Sequence, residues 1–396
     1  MRSFVFSLGV FLVVGLVACS DDDTNGPVDA AVDASPDVET YALQSQECPG
    51  DPGCPDQGDG TFYAGAAVVD ITPTDLKEGP SFVDVNGNGE WDKNTDEYTD
   101  TNGNGKFDAV WIAGFDTRPA TGFHDDIEGR ILALRHNETT VVVVSADLIG
   151  FFYDHILGIR EQLPAAVSDQ IDKILFSSTH NHEGPDTVGI WGLSAIESGF
   201  DPEYLAYAQA QIVDGIEEAV GALEPAHVVH GAIMVEDATD GMTHLIDDGR
   251  DPVIIDNQMR VMRFFRPSDD STIATLINLG NHPEVLWSDN GLLSADFPHW
   301  LRDAVENGIP GLMEGLGGTA IFIQGACGGL VGPGHTHPID DNGEVVEERH
   351  SWEAVEAFGH RYAEFAVAAL DATNGAVVDT EPHLAFRSQE IFLRID

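Results

Sequence analysis

Three histidines carry the chemistry open to this sequence. His180 and His182 stand two apart in Thr179-His180-Asn181-His182-Glu183-Gly184-Pro185, and His282 follows in Gly280-Asn281-His282-Pro283. In extended chain, residues two apart point the same way. Two imidazoles on one face can share a cation; the alternative is a hydrogen-bonded pair lining a turn. Zinc accepts imidazole nitrogen and carboxylate oxygen, and a catalytic site keeps one position for water, whose pKa it lowers. Hydrolysis by metal-activated water needs no side-chain nucleophile, and Glu183 or His182 could serve as general base. His335 and His337, in Gly334-His335-Thr336-His337-Pro338, are either further donors or part of a surface loop.

Such a site needs elements that bring distant stretches together. Thr139 to Ser145, Lys173 to Ser177, Thr272 to Asn278 and Thr319 to Ile323 read as buried strands. Each runs into a polar stretch: Ala146-Asp147, the His-x-His segment, Asn281-His282, and Gln324-Gly325-Ala326-Cys327-Gly328-Gly329. Helices lie between. One starts at Asp201-Pro202-Glu203 and runs to Leu223; another spans Ser351 to Leu370. The alternation predicts an α/β fold with a mixed, largely parallel sheet flanked by helices. The polar motifs follow strand ends, where open α/β sheets place their sites.

Several segments resemble the neutral (non-lysosomal) ceramidase family, in the family's order. Thr179 to Pro185 is similar to its T-H-T-H-S-G-P. Ala64 to Pro73 resembles its opening strand, Gly122-Phe123-His124 with Arg130 its G-x-H…R-A segment, and Ala146-Asp147-Leu148 its D-L-G strand end. Asp256 to Phe264 is similar to D-P-x-x-x-V-L-x-F. His282 with Asn290 to Asp296 resembles H-x-x-S-M…N-H-L-I-S-x-D. The likeness runs from about Tyr63 to Ala372. It implies a zinc-dependent hydrolase cleaving an amide of an N-acyl lipid or related small substrate. His180 and His282 would be zinc ligands, and His182 would sit beside the metal to hold or polarise substrate. Asp147 and Asp296 match acidic positions around it, and Asp296 also reads as a helix N-cap before Phe297-Pro298.

The sequence also departs from that family. Gly332, in Cys327-Gly328-Gly329-Leu330-Val331-Gly332-Pro333, stands where the family has its serine nucleophile. Glu183 replaces a small serine, and Asp240 to Leu245 offers no match to the sphingosine-side Asn/Arg turn. The family's remaining ligands, a Glu and a Tyr, lie beyond Asp396, so the catalytic domain, 61–396, is expected to lack its C-terminal part. A metal hydrolase acting on another bond, or a non-catalytic surface lipoprotein, are the alternatives.

The ends and the charge set the surroundings. Arg2, the apolar run Phe4 to Val17 and Leu16-Val17-Ala18-Cys19 resemble a bacterial lipoprotein signal (1–19), with Cys19 lipidated. That implies export to the outer membrane or periplasm, or the cell surface, with membrane attachment through the anchor. Residues 20–60 read as an acidic flexible stalk, and Cys48 and Cys54 flank a turn that a disulfide could close. With 18 basic and 68 acidic residues in 396 the formal charge is −50, which disfavours nucleic acid and favours divalent cations. An insert, 82–109, repeats D-x-N-G-N-G-x-x-D. Asp84, Asn86, Asn88 and Asp92, then Asp100, Asn102, Asn104 and Asp108, match the first part of a calcium loop without its twelfth-position Glu. Calcium there would rigidify a loop, with Asp96 completing the first site; the alternative is a pair of solvated turns.

Overall fold

A computed structural model describes residues 45–389, apart from 52, 75–81, 88–90, 93, 99–106, 108, 195, 236–244 and 333. The signal segment, Cys19 and most of the stalk lie outside the described residues. Two five-stranded sheets form the body. The first runs β4 (Lys173–Ser178), β3 (Thr139–Ala146), β2 (Glu128–His136), β1 (Phe62–Asp70) and a two-residue strand, Glu224–Pro225. The second runs β8 (Thr319–Gln324), β7 (Thr272–Leu279), β6 (Gln258–Phe265), β5 (His227–Met234) and β9 (Val377–Asp379).

The sheets stack face to face, and each carries helices on its outer face. Side-chain alternation decides which residue goes where. In β1 and β2, Phe62, Ala64, Leu132 and Leu134 face the second sheet, meeting Val228, Phe264, Ala274 and Ile321. Their neighbours Ala67, Ile131 and Ala133 turn outward onto α1 (Tyr153–Gln162) and α2 (Pro202–Gly221). In the second sheet, Met259, Val261, Ile277 and Phe322 pack on α3 (Phe297–Asn307) and α4 (Trp352–Ala369). The result is four layers: helices, sheet, sheet, helices.

This layering explains one difference from the sequence reading. The two sheets are mixed and flanked by helices, but within them only β3 with β4 and β7 with β8 pair in parallel; their other pairs are antiparallel. Nearly continuous apolar runs usually mark parallel strands. Here antiparallel strands such as β2 carry them because both faces of their sheet are buried. The parallel pairs end level, Ala146 with Ser178 and Leu279 with Gln324, so their C-terminal loops leave together.

The helix starts follow their capping residues. The Asp201 carboxylate accepts the Glu203 N–H at 2.8 Å, and the Ser351 hydroxyl accepts that of Ala354 at 3.1 Å. The stalk reading needs correction from Ser45 onward. Ser45–Cys48 pairs with Phe386–Gln389, and Cys48 is buried and joined to Cys54 in a disulfide with Cα atoms 5.4 Å apart. Among the described residues no helix is long and apolar enough to cross a membrane.

Asn88, Asp100, Asn102, Asn104 and Asp108 lie outside the described residues. In the first loop, the Asn86 amide donates to Asp92 at 2.6 Å and the Gly87 N–H to Asp84 at 2.6 Å. Asp96, nearly buried, accepts the N–H groups of Val85 and Asp92. An aromatic cluster backs the insert: Trp91 stacks on Phe107 at 4.0 Å, and Phe107 meets Trp111 edge-on at 5.7 Å.

Candidate metal centre

The three histidines converge. One ring nitrogen from each of His180, His182 and His282 lies within 4.8 Å of the other two, and the ring centroids are 4.8 to 5.3 Å apart. His180 and His182 follow β4 of the first sheet; His282 follows β7 of the second. The convergence does not arise from extended chain. His180 has φ +65°, in the left-handed region, so a turn brings its ring back over His182. The His182 N–H donates to the Pro283 carbonyl at 2.9 Å, tying the two loops together. Gly114 makes room beneath: a Cβ there would lie 2.6 Å from that of His182.

The ring nitrogens are sorted by their partners. His180 donates from Nδ1 to the Ile149 carbonyl at 2.7 Å, and His282 donates from Nδ1 to the Leu330 carbonyl. A proton held on Nδ1 leaves a lone pair on Nε2. His182 differs. Neither of its ring nitrogens has a hydrogen-bond partner. Glu284 Oε2 stands 3.1 Å from its Nδ1 but off the line of a hydrogen bond. Burial, then the neighbouring His180, His282 and Arg118, push the His182 imidazolium down to about 2. Burial lowers His282 as well. Both shifts favour the neutral ring, the form that ligates a cation.

Glu183 is wholly buried beside them and is held away from base catalysis. Its Oε2 accepts Arg118 Nη1 at 2.8 Å and the Asn290 amide at 2.9 Å. Burial pushes the Glu183 carboxyl up, while Arg118 and Asn290 pull it back toward the charged form. Arg118 also donates to the carbonyls of Ala113, His182 and Trp287, which fixes the backbone of the turn. Asp296 caps α3, accepting the Phe297 N–H at 2.7 Å, and accepts the Leu286 N–H at 3.3 Å. Burial raises its carboxyl to about 7. Asp147 forms a bidentate pair with the buried Arg302, at 2.7 and 2.8 Å.

His335 and His337 do not join the cluster. His335 is exposed and bonded to Asp247 at 2.7 Å; His337 faces the Val346 carbonyl. Three residues that the sequence reading passed over belong to the site. Arg118 was hidden by sequence distance. Glu284 follows His282 by two positions. Gln324, at the end of β8, donates from Nε2 to the carbonyls of Thr179 and Asn281, each the residue before a histidine, at 2.8 and 2.7 Å. Nearby, a cleft of about 420 Å³ is lined by Asp247, Trp287, Val331, His335, Arg349 and His350. Trp287 lies against Phe115 at 4.3 Å, and Phe115 against His182 at 5.1 Å.

At Gly332 a Cβ would stand 2.7 Å from Asn281 Nδ2. That amide donates to the Tyr362 hydroxyl at 2.9 Å. A serine at this position would crowd a buried hydrogen bond.

No protein-family model matches the chain, and no curated protein matches it. Solved structures do. The crystal structure of neutral ceramidase from Pseudomonas aeruginosa is similar with a TM-score of 0.59 at 17% identity, covering 79% of this chain and 45% of that one. A ceramidase complexed with C2 is similar with a TM-score of 0.58 at 18% identity, covering 78% and 44%. The chain shares their fold and spans less than half of their length.

Proposed function

We propose that the protein is a metal-dependent hydrolase, ceramidase-like in fold, that takes zinc through His180 and His282 and cleaves an amide in an N-acyl lipid or related small substrate. The observation that carries the reading is the convergence of imidazoles from two sheets, two of them with Nδ1–H held by carbonyls and Nε2 left open. The donor set fits zinc: imidazole nitrogens, partly buried, with their tautomers fixed by carbonyl partners. A zinc ion there would supply Lewis acidity toward a carbonyl oxygen and toward water. The chain's own groups do the rest. Ile149 and Leu330 hold protons on Nδ1 of His180 and His282, Arg118 and Glu183 fix the turn, and Phe115, backed by Trp287, packs against His182 on one side.

The crowding at Gly332 favours a second reading, the same site acting on a different bond without a serine nucleophile. The lipobox at Cys19 supports export and a lipid anchor, and the Asp/Asn loops support calcium as a stabiliser of the insert. Metal analysis of purified protein should find about one zinc per chain, lost in His180→Ala plus His282→Ala. Turnover of a fluorescent N-acyl-sphingosine that survives both substitutions would refute the mechanism. Hydrolysis of other amides or esters, with N-acyl-sphingosine untouched, would select the second reading.

A further inference from the structure

We infer that His182 is a third donor to the cation and that Glu284 is the carboxylate that orients it. This rests on the metal-dependent function proposed above. His182 is nearly buried, yet neither Nδ1 nor Nε2 has a hydrogen-bond partner. A neutral imidazole has one nitrogen that donates and one that accepts, and burying both unpaired is costly. A cation at Nε2 and an acceptor at Nδ1 satisfy both.

The acceptor is in place. Glu284 Oε2 lies 3.1 Å from Nδ1, and Glu284 Oε1 is itself buried without a partner. Turning that carboxylate into line completes a hydrogen bond without moving the backbone, which is already fixed by the bond from His182 N–H to Pro283. Glu183 cannot take this part, because its Oε2 is held by Arg118 and Asn290. The carbonyls of Ile149 and Leu330 play for His180 and His282 the part that Glu284 plays for His182. All three rings then present Nε2, each steadied through Nδ1 by an oxygen. Oxygen partners of this kind fix ring orientation and raise ligand basicity. Three imidazoles leave the fourth position of a tetrahedral site open.

The test is titration of the metal-stripped full-length chain with Co(II), read by visible absorption and by competition with a chromophoric chelator. Wild type should bind one equivalent with the intense bands of a four-coordinate site. Glu284→Gln, nearly isosteric, should keep that stoichiometry with a Kd about 10- to 100-fold higher, and Glu284→Asp should recover part of the loss. His182→Ala should lose the four-coordinate bands; His182→Gln, which keeps the bulk, reads the same point if the alanine variant does not fold. Unchanged Kd and spectrum in the His182 or Glu284 variants, while His180→Ala plus His282→Ala abolishes binding, would overturn this assignment and leave the proposed function standing. A wild-type chain that binds neither Co(II) nor Zn(II) would overturn both.

Discussion

Arg118 and Glu183 form an ion pair with almost no exposure, one residue from His182. Removing one partner of such a pair leaves the other charge buried and uncompensated. Arg118→Met should therefore destabilise the protein by about 3–5 kcal/mol in urea unfolding. Adding Glu183→Gln should restore much of that loss, and a double variant as unstable as the single one would contradict the pairing. Asp296 gives a pH signature. Its carboxyl is raised from 3.8 to about 7 by burial, so the folded state holds a proton that the unfolded chain releases. Across that window the unfolded state binds fewer protons, and unfolding free energy falls as pH rises. Asp296→Asn should flatten this part of the urea-midpoint profile between about pH 4 and 7. Equal slopes in the two proteins would exclude Asp296 as the source.

Among the elements, the two parallel pairs matter most. β3 with β4 and β7 with β8 end level, and Gln324 bridges the loops that leave them. Gln324→Leu removes both bonds and leaves two carbonyls to find other donors. Zinc affinity measured by chelator competition should fall by about tenfold, as for other groups that orient ligands. An unchanged affinity would mean that the Pro283 contact alone aligns the loops. β7 could be read from sequence because burial gives it a nearly unbroken apolar run; β4, an edge strand with no buried residue, shows only a short Ile-Leu-Phe run, and α2 and α4 could be read because Asp201 and Ser351 signal their starts. The partners of those strands could not, since pairing direction depends on distant residues. Arg118 shows the same limit: its contacts lie 65 residues away at Glu183 and 172 away at Asn290. The His-x-His spacing singled out rings that do converge, but a left-handed turn at His180, and not a shared strand face, joins them.

At the scale of the whole molecule, the packing between the sheets holds the four layers together. Phe264 is fully buried there and stacks on Phe62 at 6.2 Å. Phe264→Ala should cost about 3–5 kcal/mol and act on global unfolding, read by circular dichroism in urea. Loss confined to one helix pair would show that the layers unfold separately. The histidines lie on either side of this seam, with His180 and His182 from one sheet and His282 from the other. A slip of one residue along a strand moves a side chain by about 3.3 Å. Ring centroids only 4.8 to 5.3 Å apart leave no slack for such a shift. The trio is thus set like a vernier between two rulers: under the proposed function, ion capture would gauge how truly the halves of the sandwich are aligned, and a bound ion would rivet them in that alignment.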